Sequence, residues 1–244
     1  MPTTGDHVLI ALIAVLYPLY FAYSWLRRTR PQMEKNEVRA RRQTYRETLA
    51  ELWLLALAVL AWWLWSSRPL EMLGLAAPSG LAFWIGLTVV AMVGIFLGMQ
   101  VASARRSPEI RAQVRKQLQK EFGTGAAFMI PRGRHERRYW IALSLTAGMC
   151  EELLYRAFLM WYVMSWLPGI AAVPISAVVF GIPHFYLGWG GMVKATITGG
   201  VLAAIYLITG SLWIPMALHA VIDLGSGLTG SAGLEGDPMH EEST

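Results

Sequence analysis

The sequence predicts an all-α fold, a polytopic transmembrane helix bundle, and three observations carry that prediction. Hydrophobic side chains make up 55% of the 244 residues and charged ones only 15%, with a mean hydropathy of +0.42, far more apolar than a water-soluble domain. Seven stretches approach the ~20 apolar residues needed to cross a ~30 Å hydrocarbon core: 8–26, 49–66, 81–102, 139–166, 169–185, 192–208 and 212–228. The cations are also segregated, with 18 of the 21 Lys and Arg in residues 27–46 and 105–138.

The first three spans are the clearest. The run 8–26 follows no basic segment and precedes no small-residue cleavage site, so it reads as a retained span and not a removed signal. The last four are interrupted by Pro, Gly and ionisable residues, which membrane helices tolerate only where protein or water satisfies the freed polar groups. They should form the buried half of the bundle. Trp25, Trp65, Tyr139, Trp140, Trp166 and Trp189 sit near span ends, as interfacial aromatics do.

The two basic segments read as loops on one side of the membrane, and the excess of Lys and Arg makes that side cytoplasmic. The N-terminus is then outside and the C-terminus inside, in a multi-pass protein of the cell (inner) membrane. Within the second loop, Ile110, Val114, Leu118 and Phe122 recur every four residues among Arg, Lys and Gln. A helix lying on the interface is expected there, with Ser107 as N-cap and Gly123 as its stop. The chain thus divides into residues 1–138 with the first three spans, 139–228 with the polar spans, and a tail, 229–244, rich in Gly, Ser and acids and expected to be disordered.

The basic loops lack aromatics interleaved with Lys and Arg, so nucleic acid is excluded as a partner and the pI near 9.5 points to lipid headgroups. A single cysteine, Cys150, rules out an internal disulfide framework and reads as a packing residue.

The chemistry lies in three spans. Span four carries Glu151, Glu152 and Arg156; span five carries Phe180 and His184; span seven carries His219 and Asp223. At 1.5 Å per residue Glu151 lies ~18 Å along the helix from Tyr139, near mid-membrane. Spacing of four puts Glu152 with Arg156, Phe180 with His184, and His219 with Asp223 on common faces. Taken singly, each has a structural explanation: an intrahelical ion pair, or a histidine bonded to a neighbouring helix. Together, an unpaired Glu, two His and an Asp are costly in hydrocarbon without a stabilising purpose, which favours a functional cluster. Glycines 190, 191, 199 and 200 allow close helix packing.

The order E-E-x-x-x-R (Glu151, Glu152, Arg156), F-x-x-x-H (Phe180, His184) and H-x-x-x-D (His219, Asp223) resembles the CPBP family, the CAAX-processing and bacteriocin-processing (Abi) intramembrane proteases. The run Thr209-Gly210-Ser211-Leu212-Trp213 looks like the family too. The resemblance covers roughly residues 139–228. It implies a helical, glutamate-dependent peptidase in which Glu151, assisted by His184, activates a water. His219 and the residue at 223 would stabilise the oxyanion, while Glu152 and Arg156 orient the first carboxylate. The physical chemistry agrees: a carboxyl shielded from water suits a general base, and His can donate to a developing oxyanion.

One position departs from the family pattern, which frequently has Asn where this chain has Asp223. An ionised Asp cannot donate to an oxyanion. Either Asp223 is protonated, or it holds His219, or the site binds a metal. Glu, two His and Asp are plausible zinc ligands, although no H-E-x-x-H occurs. Catalysis without a cofactor is the first expectation and zinc the alternative. The expected partner is a membrane-embedded or membrane-anchored peptide. Two non-proteolytic readings compete: a proton-coupled transporter, against which no repeated halves are visible, and a non-catalytic immunity or scaffold protein using the same cavity.

Overall fold

The computed structural model describes residues 1–77, 79–121 and 123–235, without the side chains of 121, 123, 124 and 126. All regular structure among them is helical. Helix α1 runs Thr4–Lys35 and α2 Glu37–Trp65, followed by a single turn at Leu70–Leu73. Helix α3 spans Gly80–Arg106, α4 Pro108–Glu121 and α5 Gly123–Met129. Helix α6 covers residues 133–164, α7 is Gly169–Gly181, α8 Gly188–Thr209 and α9 Trp213–Leu234.

Four helical runs are long and apolar enough to cross a membrane: Thr4–Lys35, Glu37–Trp65, Gly80–Arg106 and Gly169–Thr209. The chain is therefore a multi-pass membrane protein. The predicted fourth and seventh spans are also helices, α6 and α9. What sets them apart is the polar load of Glu151, Glu152 and Arg156 on one and His219 and Asp223 on the other. The run Gly169–Thr209 doubles back at a 3-10 turn, Ile182–Leu187, where Pro183 cannot continue the ladder of α7 and Gly188 takes a φ of 80°. A Cβ on Gly200 would stand 3.6 Å from that of Ala177, and one on Gly169 would stand 3.1 Å from Leu207. Helices α7 and α8 are thus an antiparallel pair.

Helix α1 widens into π-helical turns at Leu12–Leu16 and Trp25–Thr29, each just ahead of a proline, Pro18 and Pro31. A proline ring clashes with the carbonyl four residues back, and the wider turn relieves that clash without breaking the span. Its N-terminus is clamped by Asp6, which accepts two 2.7 Å bonds from Arg68 and one of 3.1 Å from Trp62.

Three expectations need correction. Residues 27–46 do not form a loop. Arg, Lys, Gln and Glu are good helix formers, so α1 and α2 continue beyond the apolar stretches until only Asn36 separates them, its Oδ1 accepting from Arg39 N at 2.9 Å. A helix does form after span three with Ser107 as its cap, Oγ accepting from Ile110 N at 3.2 Å. The Ser107 hydroxyl also holds the exposed Glu109 carboxyl below its usual range. Gly123, however, opens α5 instead of ending the helical path, and Phe122 lies outside the described residues. Finally, residues 229–234 are not a disordered tail but the last turns of α9. Gly230 and Gly233 leave room there for Ile130 and Val114 to pack against the helix, and Gly230 to Gly233 are buried. Residues 236–244 are outside the described residues.

The core gathers on α6. Within it, Glu152–Leu159 is a π-helical stretch, and all eight of its residues are buried. Helix α2 packs along α6 on one side and α9 on another, while α3 covers α9 and faces outward with only Val90 and Ala104 buried. Beneath the site, buried Arg41 bonds Glu136 at 2.9 Å and the Phe128 carbonyl at 2.8 Å, and Tyr45 donates to the Met129 carbonyl at 2.8 Å. These bonds hold the segment after α5 against the bundle, which matters because Met129 lines the site.

Candidate active site

Adjacent residues on a helix diverge by about 100°, so Glu151 and Glu152 cannot share a surroundings. Glu152 points into the protein and is fully buried, whereas Glu151 retains a 16% exposed side chain that lines a cavity of about 90 Å³. The change to π-helical hydrogen bonding falls between these two carboxylates, an irregularity often found at functional sites.

Glu152 is the anchor behind the site. Its Oε1 lies 2.9 Å from Arg156 Nη1 and accepts from His219 Nδ1 at 2.7 Å. Arg156, itself fully buried, donates from Nη2 to the Gly199 carbonyl at 3.2 Å and lays its guanidinium 4.2 Å from the Phe180 ring centre. The missing side chain at Gly199 makes this possible. A Cβ there would come within 2.7 Å of Phe180 and 3.0 Å of Arg156. Phe180 in turn touches both histidines, with ring centres 4.8 Å from His184 and 5.7 Å from His219.

The two imidazoles are oriented by these neighbours. His184 Nδ1 donates to the Phe180 carbonyl at 2.9 Å, since a carbonyl can only accept, which leaves Nε2 as the free ring nitrogen. His219 Nδ1 is committed to Glu152. Its Nε2 then faces two acids, Glu151 Oε2 at 3.9 Å and Asp223 Oδ2 at 3.5 Å. Carboxylates bonded to one ring nitrogen fix the tautomer and direction of the other. Glu151, His184 and Asp223 line the same small cavity. His184 and Asp223 also reach a larger one of about 790 Å³, bounded by α3, α4 and α9 and lined by apolar groups such as Phe96, Met99 and Ile130.

All seven residues singled out in the sequence therefore meet at one place, in two layers. Glu151, His184, His219 and Asp223 surround the cavity or face one another beside it. Glu152, Arg156 and Phe180 lie behind them. Cys150 is buried, as a packing residue should be. Among the described residues, no three His, Cys, Asp or Glu side chains are disposed to hold a metal ion.

Other participants were not visible in the sequence. Trp140 turns its indole inward: it donates to the Asp223 carbonyl at 3.0 Å and fills the space left by Gly227. Trp25 is likewise buried against Phe128 and Tyr186, while Trp65, Trp166 and Trp189 are exposed as expected. Helix α1, outside the stretch that carries the motifs, closes the small cavity with Tyr17 and Phe21.

Residues 135–225, from the first turn of α6 to Gly225 on α9, match the family model described as Type II CAAX prenyl endopeptidase Rce1-like. The match includes every motif residue named above. Neither the comparison with curated proteins nor that with solved structures returns a match. Over residues 135–225, where the site is built, the chain is thus similar to the Rce1-like CAAX endopeptidases, the family that its motifs resemble.

Proposed function

We infer that the protein is an intramembrane endopeptidase that hydrolyses a peptide bond in a membrane-associated peptide or the anchored tail of a protein. The observation that carries this reading is the facing of Glu151 Oε2 and His219 Nε2, 3.9 Å apart, beside a cavity that also presents His184 and Asp223. The gap is wide for a direct bond and suits a bridging water. In the proposed reaction Glu151 takes a proton from that water while its oxygen attacks the scissile carbonyl carbon. The C=O electron pair moves onto oxygen, beside His219. When the carbonyl re-forms, the C–N bond breaks and the proton held by Glu151 passes to the departing amine. His184 Nε2 helps to place the water. Glu152 acts through His219 and is a positioning residue.

The large apolar cavity supports a substrate carrying a hydrophobic segment or lipid. Purified protein in lipid vesicles, offered lipidated and unlipidated C-terminal peptides and membrane-anchored tails, is expected to release new termini detectable by mass spectrometry. Absence of cleavage across the panel would favour the immunity or scaffold reading.

The same assay separates metal-free from metal-dependent catalysis at Asp223. Its carboxyl lies 3.5 Å from His219 Nε2, and Asn keeps both the size and a hydrogen-bonding group there. Asp223→Asn is expected to keep activity within about tenfold of wild type, and Asp223→Ala to lose roughly 100-fold, the usual scale for one oxyanion-site group. Stoichiometric zinc in the purified protein, with an inactive Asp223→Asn, would establish the metal-dependent alternative, because a neutral amide is a poorer ligand.

The excess of Lys and Arg at the α1 to α2 turn and over residues 105–138 supports an inner-membrane orientation with both segments cytoplasmic and the N-terminus outside, in about seven crossings. A cysteine replacing exposed Lys116, in a Cys150→Ala background, should react with impermeant maleimide only after the cells are opened. Labelling from outside intact cells would reverse the topology.

A further inference from the structure

We propose that Tyr155 is a further catalytic residue, its phenol O–H donating to the oxyanion formed at the scissile carbonyl; this rests on the peptidase reading above. The motif residues are short of free donors. His184 spends its Nδ1 proton on the Phe180 carbonyl and His219 its own on Glu152, while Glu151 and Asp223 are acids. What remains is the Nε2 of each ring, which carries a proton only when the imidazole is charged, and that of His219 already faces two of those acids. Acyl transfer ordinarily relies on more than one preorganised donor aimed at the developing charge.

Tyr155 meets that need. It lies four residues after Glu151, about one turn further along α6, and lines the same small cavity. Among the described residues nothing accepts or donates a hydrogen bond at its hydroxyl, although the residue is only 3% exposed. The rest of it is fixed. Its ring meets Phe180 edge-on, with centres 5.4 Å apart, and Ser176 Oγ donates to its carbonyl at 3.0 Å. Phe180 also contacts both histidines, so phenol and imidazoles are positioned from one anchor. A phenol donates at neutral pH, and here it would do so without losing its proton while the C=O electron pair moves to oxygen and back. Tyr17 and Tyr186 line the cavity too, but each is only partly buried and comes from a different element than Glu151.

Tyr155→Phe keeps the ring and removes only the hydroxyl. In the vesicle assay kcat should fall roughly 100-fold with KM within twofold of wild type and an unchanged unfolding midpoint. Binding of a peptidyl phosphinate, whose anionic tetrahedral centre mimics the intermediate, should weaken by a similar factor while the parent peptide binds as before. A Tyr155→Phe protein within threefold of an active wild type, or one changed in KM alone, overturns the role of Tyr155 and leaves the peptidase reading standing. A wild type that cleaves none of the peptides overturns both.

Discussion

Glu151→Gln is expected to cripple peptide cleavage in reconstituted vesicles, lowering kcat by about 100- to 10,000-fold, the span associated with loss of a general base. Gln preserves the size and polarity of the side chain but cannot accept the proton of the attacking water. Folding should not suffer. Glu151 makes no hydrogen bond among the described residues, its nearest partner being His219 Nε2 at 3.9 Å, and its side chain is partly open to the cavity. Insertion, purified yield and unfolding midpoint are therefore expected to match wild type, so that loss of cleavage reports chemistry alone. His184→Ala is expected to fall almost as far, because its free Nε2 borders the same cavity and its removal also empties a contact of Phe180. Full activity in Glu151→Gln would remove the proposed base. Since the neighbouring Glu152 is fully buried and bonded on one oxygen to both Arg156 and His219, it offers no substitute.

What the sequence made legible was local. Residues four apart do meet: Glu152 with Arg156 at 2.9 Å, His219 with Asp223 at 3.5 Å, and, across the change from α7 to the 3-10 turn, the Phe180 carbonyl with His184 at 2.9 Å. That spacing reflects helix geometry and needs no knowledge of the fold. The division of labour between Glu151 and Glu152 was not legible in the same way. It depends on His219, 67 residues away, approaching from α9, and on a π-helical stretch that leaves no mark in hydropathy. Trp140 illustrates a different failure. An aromatic near a span end satisfies the interfacial pattern whether it meets lipid or turns inward, and only Gly227 on α9 shows that space existed for the indole. The tail failed for a related reason. A run rich in Gly and Ser reads as chain without a core of its own, yet small residues are what let a terminal helix lie close against α4 and the Ile130 segment. Helix α1 entered the site unannounced because its Tyr17 and Phe21 are unremarkable in an apolar span.

Arg156→Ala is expected to cost about 3–5 kcal/mol of stability, the range for stranding one member of a buried ion pair, and to appear first as a collapse in folded yield. Three contacts go at once. Glu152 loses the cation at 2.9 Å, the Gly199 carbonyl loses its donor, and the Phe180 ring loses the plane stacked 4.2 Å from it. Glu152 is poorly placed to bear this, since its Oε2 is already buried without a hydrogen-bond partner. Lysine should not rescue. A single ammonium cannot reproduce the planar fork that reaches Glu152 and Gly199 while covering an aromatic face. The double variant Glu152→Gln with Arg156→Met tests whether charge is the cause, because it removes both members and leaves similar volumes. Its yield and unfolding midpoint in detergent should recover most of the loss, for a buried pair replaced as a unit is often neutral. Cleavage should not recover with it. His219 would then face a neutral amide where a carboxylate had fixed its tautomer, so a folded but slow enzyme is the expected product. Wild-type yield and midpoint in Arg156→Ala would show that Glu152 finds another partner, and would remove the ion pair as the anchor of the site.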